Sequence, residues 1–312
     1  MFKKIYVPVD NSAYSHQAVE MAIALARTWG ATIVASHVYA ARMHDYRFKQ
    51  MEYTLPEPYQ EERELERQRK IHDSLIARGL HLISTSYLDL VKARCQEAGV
   101  PYEGKVFDGK HYKVLAEDIA RHDYDLVILG ARGLGAVKES MLGSVCERVV
   151  RRIKRDVLVV KADENALDTG ETILVGIDGS PQSFGGLKTA LLLGKALQKP
   201  VEAVAVYDPF FHYVAFRGIV NALSEQAARV FRFHEQEQLH EEVIDTGLAR
   251  IYQSHLEVAR RIAHTAGMEI RLTLLTGKAF AKILHHVQQV QPWLLVLGRI
   301  GIHSQRDEMD LG

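Results

Sequence analysis

An internal repeat constrains this chain more than any other feature of its sequence. Residues Ile5–Ser12 (IYVPVDNS) resemble Ile173–Ser180 (ILVGIDGS), which places Asp10 and Asp178 168 positions apart. Further landmarks recur at the same offset: Val38-Tyr39 at Val206-Tyr207, Gly99 at Gly267, Gly109-Lys110 at Gly277-Lys278, and Gly130 and Gly133 at Gly298 and Gly301. Landmarks that keep one offset over such a distance indicate a duplicated domain.

Within each copy, short apolar runs alternate with longer amphipathic segments. In the first copy we predict strands at 5–9, 31–38, 102–107, 126–129 and 157–160, and helices at 13–29, 114–122 and 144–153. Strands that alternate with helices pair in parallel through right-handed crossovers and carry helices on both faces. The predicted fold class is α/β, with two tandem, doubly wound, parallel five-stranded sheets. The predicted domains are residues 1–162 and 172–312, joined by a polar linker at 163–171.

The second copy is expected to lack its last helix and strand. At the offset of 168 residues, its fifth strand would fall after Gly312, where this sequence ends. We therefore expect an unpaired sheet edge beside its fourth strand, Leu294–Leu297. An open strand edge invites pairing with another strand.

Composition and charge exclude several classes of protein. Lys+Arg and Asp+Glu number 39 each, so no global field favours nucleic acid or an anionic membrane. The start of the chain lacks the regions of a signal peptide, and no apolar run has the length of a membrane span. The two cysteines cannot form a disulfide framework. We expect a cytoplasmic protein with no nucleic-acid or membrane partner.

Each copy carries an insert after its second strand. In the first copy the charged run Glu61–Lys70 predicts a solvated helical arm, in preference to a nucleic-acid contact. The insert of the second copy, around residues 208–260, is richer in aromatic residues such as Phe210 and Phe231. Such a cluster is more typical of packing between domains than of cofactor binding.

The loops after the first and fourth strands are the candidate ligand site. In a doubly wound sheet, ligands bind at the carboxyl ends of the strands, where the strand order reverses. Asp10 follows the first strand, and Gly130-x-x-Gly133 follows the fourth. Nine residues then separate Gly133 from Gly143-Ser144, which opens a helix. Glycines allow close approach of backbone to phosphate, and a helix N-terminus offers unpaired N–H groups. Asp10 is a candidate acceptor for an adenine amino group, and a helix-capping role is its alternative.

Two other nucleotide motifs are excluded. Gly130-x-x-Gly133-x-Gly135 reverses the order of the dinucleotide fingerprint, and it follows the fourth strand instead of opening the first βα turn. The P-loop pattern G-x-x-x-x-G-K-[ST] does not occur in the sequence. No nucleophile–base pair or metal-ligand spacing stands out either, so we assign no catalytic and no metal residues.

The glycine spacing, together with Val-Pro-Val-Asp-Asn-Ser on the first strand, resembles the ATP-binding branch of the universal stress protein family. The resemblance covers essentially the whole chain as a tandem pair of domains. It implies an adenine site at Asp10 and Val38, with Pro8 and Ser12 in the same loop. It implies contacts to ribose and the first phosphates along Leu129, Gly130, Arg132 and Gly133. It implies contacts to the outer phosphates from Gly143, Ser144, Val145 and Cys146.

The resemblance also implies a function and partners. Family members bind ATP and hydrolyse it slowly if at all, so the expected role is a nucleotide-responsive regulator of stress physiology and not an enzyme. ATP is the expected ligand, and the resemblance leaves open whether Mg²⁺ accompanies it. Because family domains commonly pair through their fifth strands, we expect the two domains to associate within the chain. A homodimer and an unidentified protein partner are further expectations.

Two alternatives stay open. The first is an enzyme of the related adenine-nucleotide α-hydrolase-like class, although those enzymes carry S-G-G-x-D-S after the first strand, where this chain has Val-Asp-Asn-Ser. The second is a protein-interaction module with no ligand, which fits the second copy better than the first. Bound nucleotide in the purified protein would distinguish these alternatives.

The two copies are expected to differ in ligand binding. The second keeps Asp178, Gly298 and Gly301, but ten residues separate Gly301 from Gly312, where nine separate Gly133 from Gly143. These ten residues include Asp307, Glu308 and Asp310. Like charges disfavour a triphosphate in a partly desolvated site. We therefore predict one ATP per chain, held by the first domain.

Cys146 is a further candidate, as a redox-sensitive thiol. It lies in the first turn of a helix, where the helix dipole favours thiolate. The alternative is a small buried residue beneath the glycine loop.

Overall fold

The chain folds as two units, each built on its own parallel sheet. The computed structural model describes residues 2–54, 56, 61–135, 140–162, 164–165, 167–168, 170–209 and 246–302. Unit 1 is Met1–Leu167 and unit 2 is Asp168–Gly312. The division between the units lies inside the segment 163–171, the predicted linker.

The sheet of unit 1 has five strands in the order β3-β2-β1-β4-β5. The strands are β1 (Lys4–Pro8), β2 (Thr32–Tyr39), β3 (Tyr102–Asp108), β4 (Leu126–Gly130) and β5 (Asp156–Val160). All neighbouring strands run parallel. The chain first builds outward from β1 through β2 to β3, and then crosses to the other side of β1 for β4 and β5. The switch point of this doubly wound sheet therefore lies between β1 and β4.

Five helices of unit 1 lie within the described residues. They are α1 (Ala13–Trp29), α2 (Ala41–Met51), α3 (Glu62–Glu97), α4 (His111–Arg121) and α5 (Ser144–Arg152), and one 3₁₀ turn spans Glu52–Thr54. The hydroxyl of Ser12 accepts a hydrogen bond from the Ser15 N–H at 3.2 Å and caps the start of α1. The helix ends at Gly30, whose φ of 65° is left-handed.

The insert of unit 1 is helical, as predicted from its charge run. α3 is 36 residues long, and its C-terminal half buries Leu88, Val91 and Cys95. Its N-terminal half carries the charges, where Arg69 contacts Glu52 with Nε to Oε1 at 2.6 Å. The apolar half of α3 therefore packs on the sheet, and the charged half joins α2 and the 3₁₀ turn.

The described part of unit 2 repeats this plan with four strands in the order β8-β7-β6-β9. Its strands are β6 (Ile173–Gly176), β7 (Val201–Tyr207), β8 (Arg271–Thr276) and β9 (Leu294–Val296), and its helices are α6 (Pro181–Leu197), α7 (Thr246–Thr265) and α8 (Ala279–Val290). Within the described residues β9 is an edge strand that pairs with β6 alone. The aromatic residues Phe210 and Phe231 and the acidic stretch 307–310 lie outside the described residues.

The predicted element bounds hold closely where the ends carry a local signal. α1 spans the predicted 13–29, and each strand of unit 1 lies within about one residue of its prediction. α4 begins at His111, three residues before the predicted start at 114. Its first turn, His111-Tyr112-Lys113, lacks the apolar spacing from which the start was predicted, and Lys110 provides no side-chain cap.

Each unit buries a polar cluster between its sheet and the helix that follows the third strand. In unit 1 the carboxylate of Asp118 accepts hydrogen bonds from the Tyr124 hydroxyl at 2.8 Å and from Lys105 Nζ at 3.3 Å. In unit 2 Glu202 is 1% exposed, and its Oε1 lies 2.7 Å from both Thr273 Oγ1 and His286 Nε2. Since buried polar groups need partners, these clusters belong to the packing of the core.

No helix among the described residues is long and apolar enough to cross a membrane.

Candidate functional site

The carboxylate of Asp10 joins the two loops at the switch point of unit 1. Its Oδ1 accepts a hydrogen bond from the Ser12 N–H at 3.1 Å, and its Oδ2 accepts one from the Leu134 N–H at 3.0 Å. The first bond closes the turn after β1, in which Asn11 has a left-handed φ of 61°. The second bond reaches across to the glycine loop after β4. Asp10 therefore fixes the separation of the loops that would enclose a ligand.

Ser12 adds a second link between the same two loops. Its buried hydroxyl accepts from the Ser15 N–H and donates to the Arg132 carbonyl oxygen at 3.3 Å. The same side chain therefore caps α1 and holds the backbone of the glycine loop. Helix capping, the alternative role considered for Asp10, belongs to Ser12.

The glycines of the site fall into two kinds. A Cβ on Gly130 would lie 2.8 Å from the Tyr14 backbone, and a Cβ on Gly133 would lie 2.3 Å from the Asp10 carboxylate. At both positions the protein's own packing demands glycine. A Cβ on Gly143 would meet nothing closer than 3.4 Å, and its φ of −72° suits any residue. The packing of unit 1 therefore gives no reason for a glycine at Gly143.

Gly143 also opens helix α5 beside the glycine loop. Its N–H donates to the Ala131 carbonyl oxygen at 2.7 Å, which holds the start of α5 against that loop. Gly143 occupies the N-cap position, and no side chain caps the first turn. The N–H groups of that turn, beginning with the exposed Ser144, have no intrahelical acceptors and carry the positive end of the helix dipole. This arrangement can receive an anion.

The side chain of Arg132 contacts an aromatic ring. Its guanidinium lies over the ring of Tyr14, 4.8 Å from the centroid, and Nη2 donates to the Tyr14 hydroxyl. This contact holds the positive charge of Arg132 beside the glycine loop. Tyr14 had no role in the sequence prediction, because a partly exposed tyrosine in the first turn of a helix carries no signal of its own.

Unit 2 reproduces the link between its two loops. The Asp178 carboxylate accepts from the Ser180 N–H at 2.9 Å and from the Ile302 N–H at 2.8 Å. Burial opposes the charged form, but the hydrogen bonds from Ser180 and Ile302 outweigh it, so the pKa of Asp178 is lowered. Gly179 is the repeat equivalent of Asn11 and has the same left-handed conformation, with a φ of 88°. The ring of His255 lies against Gly179.

A comparison of the sequence with models of protein families identifies the family to which this chain belongs. The model of the Universal stress protein family matches residues 1–161 and 170–310. The chain belongs to the universal stress protein family. Both copies match, so the chain is a tandem member of that family.

Individual universal stress proteins match over different lengths. One from Mycobacterium bovis is 29% identical over 204 residues, which are 65% of this chain and 62% of that relative. One from Thermus aquaticus is 30% identical over 165 residues, which are 52% of this chain and 100% of that relative. The crystal structure of a universal stress protein from Archaeoglobus fulgidus aligns with 97% of this chain and 89% of its own, with a TM-score of 0.59 and 15% identity. That likeness concerns the fold alone.

Three of the residues that the family pattern assigns to the nucleotide are buried in the core. Val38, Leu129 and Cys146 are each 4% exposed and belong to one hydrophobic cluster, against which Val145 packs. Pro8 ends β1 and is partly exposed. The residues brought together around the loops are Asp10, Ser12, Gly130, Arg132, Gly133, Gly143 and Ser144.

The prediction of a reactive thiol at Cys146 is wrong. Burial, with a smaller contribution from the Glu147 carboxylate, raises the pKa of Cys146 to about 11. The helix dipole does not offset the loss of water around the sulfur. Cys146 is a core residue beneath the first turn of α5.

Besides Tyr14, the sequence prediction missed two contributors to this end of the sheet. Ser15 donates its hydroxyl to the Ser12 carbonyl oxygen at 3.0 Å. Ser15 could have been found from the sequence, since the repeat aligns it with Ser183. His37 on β2 lies 2.8 Å from the Ser84 hydroxyl, and burial followed by repulsion from His111 lowers its pKa, against an opposing effect of Asp10. Nothing in the sequence pairs His37 with a residue 47 positions away.

Proposed function

We propose that this universal stress protein binds ATP in unit 1 and acts as a nucleotide-responsive regulator of stress physiology. The observation that carries the proposal is Gly143. The packing of the protein gives no reason for a glycine at this position. Gly143 lies beside the glycine loop, at a helix N-terminus that no side chain caps. A ligand whose phosphates approach that backbone would account for it.

The loop after β1, which contains Asp10, fits the adenine end of such a ligand. An ionised carboxylate has about four lone-pair sites, and Asp10 uses two of them on backbone N–H groups. The remaining sites can accept a hydrogen bond from an adenine amino group. Since the same carboxylate holds both loops, adenine binding and loop spacing are coupled.

The phosphate end is supported by the start of α5 and by Arg132. The helix N-terminus supplies N–H donors, Ser144 adds a hydroxyl, and the Arg132 guanidinium adds positive charge. Mg²⁺ would enter as the counter-ion of the nucleotide. The proposed role is ATP binding without significant hydrolysis. The polar side chains of these loops, Asp10 and Ser12, are engaged in hydrogen bonds that hold the loops together.

The test is ATP binding to the Gly143→Val and Gly143→Ala proteins by titration calorimetry in Mg²⁺. We predict loss of measurable binding for Gly143→Val and weakening of about tenfold for Gly143→Ala, because a side chain keeps phosphate away from the α5 backbone. The added Cβ meets no close contact in the protein, so Gly143→Ala should unfold at the wild-type temperature. Gly185→Val, a change in open space on α6 of unit 2, is the matched control.

ATP binding by Gly143→Val at wild-type affinity would contradict the proposed site. A wild-type chain that binds no adenine nucleotide, and is purified without one, would favour a protein-interaction module. Rapid ATP turnover that is lost in Gly143→Val would favour an enzyme of the same fold.

A further inference from the structure

Unit 2 has an open groove between helices α6 and α7. Its volume is about 760 Å³. Its apolar lining is Leu191, Leu192, Val258, Ile262 and Ala266, and its polar lining is the basic Lys188, Lys195 and Arg261 together with Thr265. Leu192 is 48% exposed, although it lies beside the buried Leu191. The groove lies on a helical face of unit 2, away from the loops at the carboxyl ends of its strands.

The same seam is bridged by an ion pair in unit 1. At the repeat offset, Lys188 corresponds to Glu20 and Ile262 corresponds to Arg94. Glu20 on α1 and Arg94 on α3 form an ion pair at 2.8 Å, which bridges the two helices. Lys188 and Ile262 cannot form this bridge, and in unit 2 they line the groove instead.

The charges of the groove all have one sign. Lys188 and Lys195 lie on the α6 rim, and Arg261 lies on the α7 rim. Among the residues that the structure describes, none of the three forms an ion pair. A second copy of this groove would bring like charges together, which disfavours self-association. The complementary occupant has an apolar body and an anionic head.

The size of the groove favours a small molecule over a protein. Residues 188–195 and 258–266 each span about two helical turns, or roughly 10–12 Å at 1.5 Å per residue. A stable protein interface buries about 800 Å² on each partner, more than such a short seam offers. Ligand sites typically have volumes of about 300–1,000 Å³, a range that includes this groove.

We propose that the α6–α7 groove binds a straight-chain aliphatic carboxylate. The alkyl chain lies along Leu191, Leu192 and Ile262, and the carboxylate meets the cations of the rim. This site is independent of the nucleotide proposed for unit 1. The second copy would then have gained a ligand class that the first copy cannot accept.

The test grafts the closing ion pair of unit 1 into unit 2. Decanoate is titrated into the wild type and into the double variant Lys188→Glu/Ile262→Arg, with binding followed by calorimetry. We expect one saturable site per chain in the wild type and at least about tenfold weaker binding in the double variant. The graft repeats a pair that unit 1 already accommodates, so the double variant should keep its unfolding transition. Arg250→Glu, which changes an exposed cation of α7 outside the groove, should bind decanoate like the wild type.

A second pair of measurements distinguishes the contribution of the ligand's carboxylate from that of its alkyl chain. Lys188→Met/Lys195→Met should weaken decanoate severalfold and leave decan-1-ol unchanged, since only the carboxylate uses the rim charges. Equal decanoate binding by the wild type and the Lys188→Glu/Ile262→Arg variant would overturn the proposal. So would the absence of saturable binding in the wild type, or a change of molecular mass in the double variant, which would assign the groove to a second copy.

Discussion

At the scale of single residues, Asp10 and Asp178 make the same two hydrogen bonds in two copies that otherwise differ widely. Each accepts from the N–H two residues later and from an N–H 124 residues away. The bonds from the Ser12 and Ser180 N–H groups are partly buried, and a partly buried N–H without an acceptor destabilises the fold. The carboxylate is therefore part of the architecture before any ligand is bound, and a ligand can use it only as a preformed acceptor.

Asp178→Asn should destabilise unit 2 by about 1–2 kcal/mol at pH 7, because the amide oxygen can keep one of the two hydrogen bonds while the charge and the second acceptor are lost. The pKa of Asp178 is lowered in the folded state, so its stabilisation is present above the unfolded pKa of about 4 and is lost as pH falls through the folded pKa. The difference in unfolding free energy between the wild type and Asp178→Asn should therefore shrink below pH 4. Urea unfolding from pH 7 to pH 3 measures it.

Asp168→Asn, at an exposed carboxylate, is the control for general effects of charge. A difference between the wild type and Asp178→Asn that is constant from pH 7 to pH 3 would show that the two N–H bonds do not depend on the ionised carboxylate.

At the scale of elements, local signals predicted most of the fold. Ser12 caps α1 and Gly30 ends it, so both ends of that helix could be placed from the sequence. The strands were predicted because buried parallel strands are short, continuous apolar runs. The start of α4 was misplaced because its first turn is polar. The burial of Val38 and Cys146 could not be predicted, since a residue of a site loop and a residue of the core beneath it look alike in sequence.

The ends of α1 and α6 provide a matched test of helix termination. Both helices end in a left-handed residue, Gly30 with φ 65° and Gln198 with φ 54°. A non-glycine residue in this conformation costs about 1 kcal/mol, partly offset by the greater freedom of glycine in the unfolded chain. Gln198→Gly should therefore raise the unfolding free energy of unit 2 by about 0.5–1 kcal/mol.

The reciprocal change, Gly30→Gln, should lower the stability of unit 1 by a similar amount, since no atom lies within 4 Å of the added Cβ. Denaturant unfolding of both variants measures the pair. A loss of stability in Gln198→Gly would mean that the Gln198 side chain makes a stabilising contact, and it would reverse this explanation.

At the scale of the whole molecule, duplication has kept the loop architecture and changed the surfaces around it. The Asp10 and Asp178 links are alike, and α1 and α6 have equal lengths of 17 residues. The seam behind those helices is bridged by Glu20 and Arg94 in one unit and open in the other. The repeat could be found from sequence alone. The different roles of Gly130 and Gly143 could not, because only the distances to neighbouring atoms separate a glycine required by packing from one that packing leaves unexplained.

The chain should bind one ATP, in unit 1. The adenine side does not distinguish the units, because Asp178 repeats the bonds of Asp10. The sequence of the phosphate side does: ten residues separate Gly301 from Gly312, where nine separate Gly133 from Gly143, and they include Asp307, Glu308 and Asp310, whose charges disfavour a triphosphate. Calorimetry with the wild type should give a stoichiometry near one, and Gly143→Val should reduce it to zero. Two equivalent sites per chain, or one site that survives Gly143→Val, would place ATP in unit 2 and contradict this asymmetry.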